Sequence, residues 1–112
     1  MVLYLFKYDR VDKAKVAKMI ERDNKLALFL KEKRTAAGLS QEEVATKLGY
    51  STSQFISNWE RGISQPPINT LKFLAKLYNV NPEEMFQVLL QNTIAIVEQD
   101  LKNKFYRVSA EL

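Results

Sequence analysis

The chain has 112 residues, 46% of them hydrophobic, with only three glycines and three prolines, which argues against disorder and favours helices joined by short connections. Cysteine and histidine are both absent, so there is no disulfide frame, no thiolate or imidazole metal site, and no histidine general base. The formal charge of +4 is uneven: residues 24–79 hold eight basic and four acidic side chains, residues 80–112 three and five, so the middle is the expected face for a polyanion and the C-terminal part the expected face for protein.

Val2 to Tyr8 is rich in β-formers and reads as a short strand. Its apolar run is too short for a signal-peptide core, and no stretch approaches the roughly 18 apolar residues of a membrane span. A soluble, cytoplasmic protein without membrane contact is expected. Asp12 to Arg22 reads as a short basic helix with Val16, Met19 and Ile20 on one face. Asn24 to Ala37 reads as a helix with Leu26, Phe29 and Leu30 inward, closed by Gly38.

Ser40-Gln41-Glu42-Glu43 is a capping-box pattern, followed by a helix that buries Val44, Ala45 and Leu48 and stops at Gly49. Ser51 to Gln54 repeats the pattern with Gln in place of Glu, and the next helix carries Phe55, Ile56 and Trp59 inward and ends at Gly62. After Pro66-Pro67, a helix from about Ile68 to Asn79 turns Leu71, Leu74, Ala75 and Tyr78 inward. Asn81-Pro82-Glu83-Glu84 opens a last helix that runs to about Lys104. Its apolar positions Phe86, Leu89, Leu90, Ile94, Val97, Leu101 and Phe105 form a seam that extends beyond one core and predicts a homodimer. Phe105 to Val108 is the second β-like run, and the two termini are expected to meet in a small sheet.

Two short helices joined by a glycine turn form the helix-turn-helix pattern. Ala45 lets the second helix cross closely, and Gly49 takes a left-handed turn without steric cost. Ile56 and Trp59 anchor that helix, leaving Ser53, Gln54, Ser57 and Asn58 as a short polar face. Gln and Asn suit base readout because each amide donates and accepts along an adenine edge. The carboxylate pairs Glu42-Glu43 and Glu83-Glu84 sit in first turns, where the helix dipole accounts for them better than acid–base chemistry does. No catalytic residue, metal site or cofactor is expected.

The ordered set Gly38-Leu39-Ser40-Gln41-Glu42-Glu43-Val44-Ala45, Lys47-Leu48-Gly49-Tyr50-Ser51, Ile56-Ser57-Asn58-Trp59-Glu60-Arg61-Gly62, Pro66, and Leu71 with Leu74-Ala75-Lys76 resembles the lambda repressor/Cro type of helix-turn-helix, also called the XRE family. The resemblance covers residues 24 to 90. It implies an all-α, five-helix lambda-repressor-like DNA-binding domain, with an N-terminal strand/helix extension over 1–23 and an extended C-terminal helix over 91–112. It implies a prokaryotic or phage transcriptional regulator, a repressor in the first reading, that binds operator DNA as a homodimer. It places Gln41 on a DNA phosphate and the exposed face of residues 53–58 in the major groove, and it pairs Arg34 with Glu60. Arg61 and the loop at Ser64 are the further expected phosphate contacts. Two departures stand out. The stretch from Gly49 to Gly62 is one residue longer than usual, so Thr52, Ser53 and Gln54 each remain candidates to lead the recognition helix. Lys33 occupies a position that is often apolar. The alternative readings are an antitoxin whose extensions grip a partner toxin, and a scaffold that uses the fold without base readout.

Overall fold

The computed structural model describes residues 24–111, with side chains to residue 107. The expected N-terminal strand and basic helix lie outside these residues. Five helices follow in chain order: α1 (Lys25–Ala36), α2 (Gln41–Leu48), α3 (Gln54–Glu60), α4 (Ile68–Leu77) and α5 (Pro82–Glu111). No strand occurs among the described residues.

Asn24 opens α1. Its extended backbone lets the side-chain oxygen accept from the Ala27 amide at 3.0 Å. A second amide side chain completes this cap from the other end of the chain: Asn92 Oδ1 on α5 accepts from the Leu26 amide at 3.2 Å. The first amides of a helix have no partner within it, so two side chains here supply what the helix cannot. The Ser40–Glu43 capping box of α2 forms in both directions, at 3.0 and 3.1 Å. Gly49 ends α2 with φ +82°, a left-handed conformation that costs an L side chain about 1 kcal/mol or more. At Gly62 two constraints coincide: φ is +75°, and a Cβ would meet Asn24 Nδ2 at 3.1 Å. The loop after α3 therefore seats against the cap of α1.

The core joins Leu26 and Leu30 of α1, Val44 and Ala45 of α2, Ile56 and Trp59 of α3, Leu71, Leu74 and Ala75 of α4, and Met85 of α5, with Tyr78 and Val80 from the linker. Ala45 is almost fully buried, consistent with a close crossing of α2 and α3. Met85, Val88, Leu89 and Asn92 form the stripe of α5 that packs inward. Phe86, Leu90, Ile94, Val97, Leu101 and Phe105 stay exposed along a different stripe.

Four expectations are corrected. The second capping box, Ser51 to Gln54, does not form: Ser53 is the N-cap of α3, but with φ −84° and ψ 6° its backbone is not extended, and its hydroxyl makes no capping bond. Thr52 Oγ1 instead accepts from the Gln54 amide at 3.3 Å. Phe55 is 53% exposed rather than inward, because Ile56 and Trp59 already fill the inner face; its ring rests on Tyr50 with centroids 4.9 Å apart. Phe105 to Val108 is helical, within an α5 that runs to Glu111 instead of Lys104, so no β-run is present there to pair with the N-terminus. α4 ends at Leu77 rather than Asn79, and Asn79 takes φ +56°, which asparagine tolerates.

Replacing the acceptor at Asn92 tests the shared cap. Asn92→Leu keeps the volume but leaves the buried Leu26 amide without its partner, and is expected to cost about 1–3 kcal/mol of stability. Urea unfolding measures this, and an unchanged midpoint and slope would mean that the bond adds nothing.

Candidate nucleic-acid interface

The interface is organised from beneath by one carboxylate. Glu60, at the last position of α3, is 8% exposed. Arg34 Nε donates to Glu60 Oε2 at 2.7 Å and Arg34 Nη2 donates to Glu60 Oε1 at 3.0 Å, a two-pronged ion pair. The remaining guanidinium arm, Nη1, donates to the Leu39 carbonyl at 2.7 Å. Gln41 Nε2, from the first turn of α2, also donates to Glu60 Oε1, at 3.0 Å. One acidic side chain thus ties together α1, the α1–α2 turn, α2 and α3. Hydrogen bonding to Glu60 raises the Arg34 pKa, with burial working against it and the charge of Glu60 adding to it. Tyr78 is raised as well, first by burial and then by the nearby Glu60 charge, with Arg34 opposing.

Above this support lies the polar face of α3. Gln54 is exposed at the first turn, and Ser57 and Asn58 are half-buried. Gln54 Nε2 donates to Asn58 Oδ1 at 2.9 Å, a pair one helical turn apart. The pair leaves Gln54 Oε1 as an acceptor and Asn58 Nδ2 as a donor, a complementary set for an adenine edge. The Asn58 carbonyl accepts from the Ile63 amide at 2.9 Å and from the Ser64 amide at 3.4 Å, which folds the following loop back beside α3. Arg61 caps α3 and is exposed, as is Ser64.

The sequence candidates therefore fall into three groups. Gln54, Ser57, Asn58, Arg61 and Ser64 lie together on α3 and its exit loop. Thr52 and Ser53 precede the helix; Thr52 is exposed and Ser53 half-buried, and the Ser53 carbonyl accepts from the Ser57 amide at 3.0 Å. The longer connection is thus taken up in the turn, Gly49 to Ser53, and α3 begins at Gln54. Gln41 and Arg34, both half-buried, meet the buried Glu60 beneath. Lys33 fits its position by lying over the Phe29 ring, 5.3 Å from the centroid, with its amine 3.7 Å from Glu84.

Sequence reasoning missed the caps made by Asn24 and Asn92 together, and the bond from Gln41 to Glu60. Asn92 carried a signal: it follows Met85, Val88 and Leu89 on one helical stripe with an amide, and a polar side chain on an apolar stripe needs a partner.

Two helices joined by a glycine turn, the second buried by Ile56 and Trp59 and presenting a polar outer face, make this a helix-turn-helix protein. The sequence profile of the family described as Helix-turn-helix matches residues 30–85, half of the chain. The HTH-type transcriptional regulator ImmR of Bacillus subtilis (strain 168) is 38% identical over 78 residues, which span 67% of this chain and 57% of that protein. No solved structure matches. The chain belongs to the XRE-type helix-turn-helix family.

The buried carboxylate and the buried Tyr78 beside it each generate a prediction. Glu60→Leu strands Arg34 and is expected to cost about 3 kcal/mol or more, whereas Arg34→Met combined with Glu60→Leu should cost clearly less, because no buried charge is left alone. Equal losses for the single and double variants in urea unfolding would contradict a paired role. The second concerns alkali. The unfolded Tyr78 side chain ionises near pH 10.0, while the folded one holds its proton to higher pH. Its contribution is therefore complete below pH 10 and is lost as pH rises further, at a limiting slope of about 1.4 kcal/mol per pH unit. Tyr78→Phe should flatten the stability curve above pH 10 relative to the parent; parallel curves would refute it.

Proposed function

We propose that the chain is a transcriptional regulator that binds double-stranded operator DNA in the cytoplasm as a homodimer, acts as a repressor, and reads the major groove with α3. The observation that carries this reading is the polar face of α3, where Gln54 and Asn58 hold each other at 2.9 Å and leave one amide acceptor and one amide donor outside that bond. Family membership and the name of the ImmR relative support the coarse function; the chain spans only 57% of that relative's length. In this reading α3 runs along base edges, Ser57 and Asn58 contact bases beside Gln54, and Thr52 and Ser53 meet the backbone where the helix enters the groove. Gln41 donates to Glu60 through one N–H and to a phosphate through the other. Arg61 and Ser64 bind phosphates at the exit of α3.

The reading separates specificity from charge. Gln54→Ala or Asn58→Ala should each cost about 1–3 kcal/mol at the preferred operator, relax one base preference per half-site, and leave the salt dependence of binding nearly unchanged. Arg61→Ala should weaken all sequences alike and reduce the slope of log affinity against log salt by about one per chain. Fluorescence anisotropy on operator and scrambled duplexes across a salt series measures both. Equal loss on specific and scrambled DNA for the Gln54 and Asn58 variants would remove α3 as the reading element.

A further inference from the structure

We infer that Phe55 is a further specificity-determining residue, its exposed ring making apolar contact with the C5-methyl group of one thymine in each half-site. The inference rests on the proposed reading of the major groove by α3 and adds one base feature to what that helix recognises. Among the apolar side chains of α3, Ile56 and Trp59 are buried, while Phe55 is 53% exposed. With the inner side already filled, the core has no use for a large ring at this position. A single exposed aromatic is ordinary on a protein surface and is no site by itself. Three features of its placement give this one a ligand.

The first is position. At about 100° of turn per residue, Phe55 lies roughly 100° around α3 from Gln54 and roughly 60° from Asn58, so it flanks the amide pair on one side. The second is support. The Phe55 ring rests on Tyr50 with centroids 4.9 Å apart, and Tyr50 meets Trp59 edge-on at 6.0 Å. Tyr50 is half-buried and Trp59 buried, so the three rings lead outward from the core. One side of Phe55 is thereby held, and the ring has little freedom left to lose on binding. The third is charge. Residues 52–58 carry no charged side chain, so the arginine–guanine contact that most often marks a G·C pair is missing from this segment. What the segment offers instead is two carboxamides, three hydroxyls and one exposed ring.

The A·T pair matches that set. In the major groove adenine presents an acceptor at N7 and a donor at N6, and its thymine presents an acceptor at O4 and the C5-methyl group. A helix whose amides take an adenine edge therefore always has a thymine methyl in the same base pair. Apolar contact with that methyl separates thymine from cytosine, which has none. Covering one methyl with a ring is worth about fourfold in affinity. The contact is uncharged, so it adds discrimination without adding salt dependence.

Deoxyuridine differs from thymidine by this methyl alone, so it isolates the contact. The full chain is titrated by fluorescence anisotropy with the duplex that it selects from a random pool, and with copies carrying uracil for thymine at one symmetric pair of positions at a time. At one such pair the parent should bind the uracil duplex more weakly, by about fourfold for each methyl removed. Phe55→Ala should bind the two duplexes alike at that pair, and Phe55→Leu, which keeps an apolar side chain, should retain the difference. Each ratio compares two duplexes on one protein, so a partial loss of folding cancels from it. A ring that only covers Tyr50 would leave the ratio of Phe55→Ala equal to that of the parent, and this result would overturn the assignment. A parent that nowhere distinguishes thymine from uracil, or a selected site without a shared thymine, would overturn it as well while leaving α3 as the reading element. A pool that yields no shared sequence would refute the proposed reading by α3, and the Phe55 contact with it.

Discussion

A single buried carboxylate holds the helix-turn-helix half of this molecule in register. Glu60 accepts from two arms of Arg34 and from Gln41, and so joins three helices. Two charges removed from water gain little net stability over apolar residues of similar volume, but removing one partner leaves the other stranded. The value of the arrangement lies in geometry. A two-pronged pair fixes the angle of the guanidinium plane, and its third arm fixes the Leu39 carbonyl in the turn that leads into α2. The α2 capping box then starts that helix one residue later, at a set orientation.

The polar face of α3 inherits its position from this support. With only the residues Gln54–Glu60, α3 is too short to be stable by itself. Ile56 and Trp59 bury one side, Glu60 pins the last turn, and the loop back to Asn58 fixes the exit. What remains outward is short, uncharged and held by an internal amide pair. Side chains of this kind contribute little long-range attraction, so the proposed reading assigns affinity to the flanking basic and backbone groups and discrimination to α3. α5 serves the molecule differently: its first turns complete the core and the α1 cap, while its remaining length carries an apolar row that faces away from both.

Much of this was legible in the sequence because it rests on local rules. Gly49 and Gly62 marked turns that need positive φ, Ser40 and Glu43 stood at capping-box spacing, and Leu71, Leu74 and Tyr78 followed a helical period. The misreadings share a physical origin. Ser51 to Gln54 matched a capping box as a pattern, but the longer connection from Gly49 bent the backbone at Ser53 away from the extended conformation that a cap requires. Phe55 looked like a core residue by type, yet Ile56 and Trp59 had already filled the inner side of a helix this short. Phe105 to Val108 has β-forming residues, but it continues an uninterrupted helix with no proline or glycine to end it. The contacts that escaped, Asn92 to the Leu26 amide and Gln41 to Glu60, bridge positions far apart in sequence, where spacing can mark a polar residue on an apolar stripe but does not name its partner.

The central claim, that the outer face of α3 reads base sequence, is tested most directly by selecting bound duplexes from a random DNA pool with the full chain. The account predicts enrichment of a two-fold symmetric site, with half-sites about one helical turn apart and an adenine preference where Gln54 and Asn58 reach the major groove. Recovery of duplexes with no shared sequence, retained only at low salt, would contradict it and leave the helix-turn-helix as a binder of the DNA backbone alone.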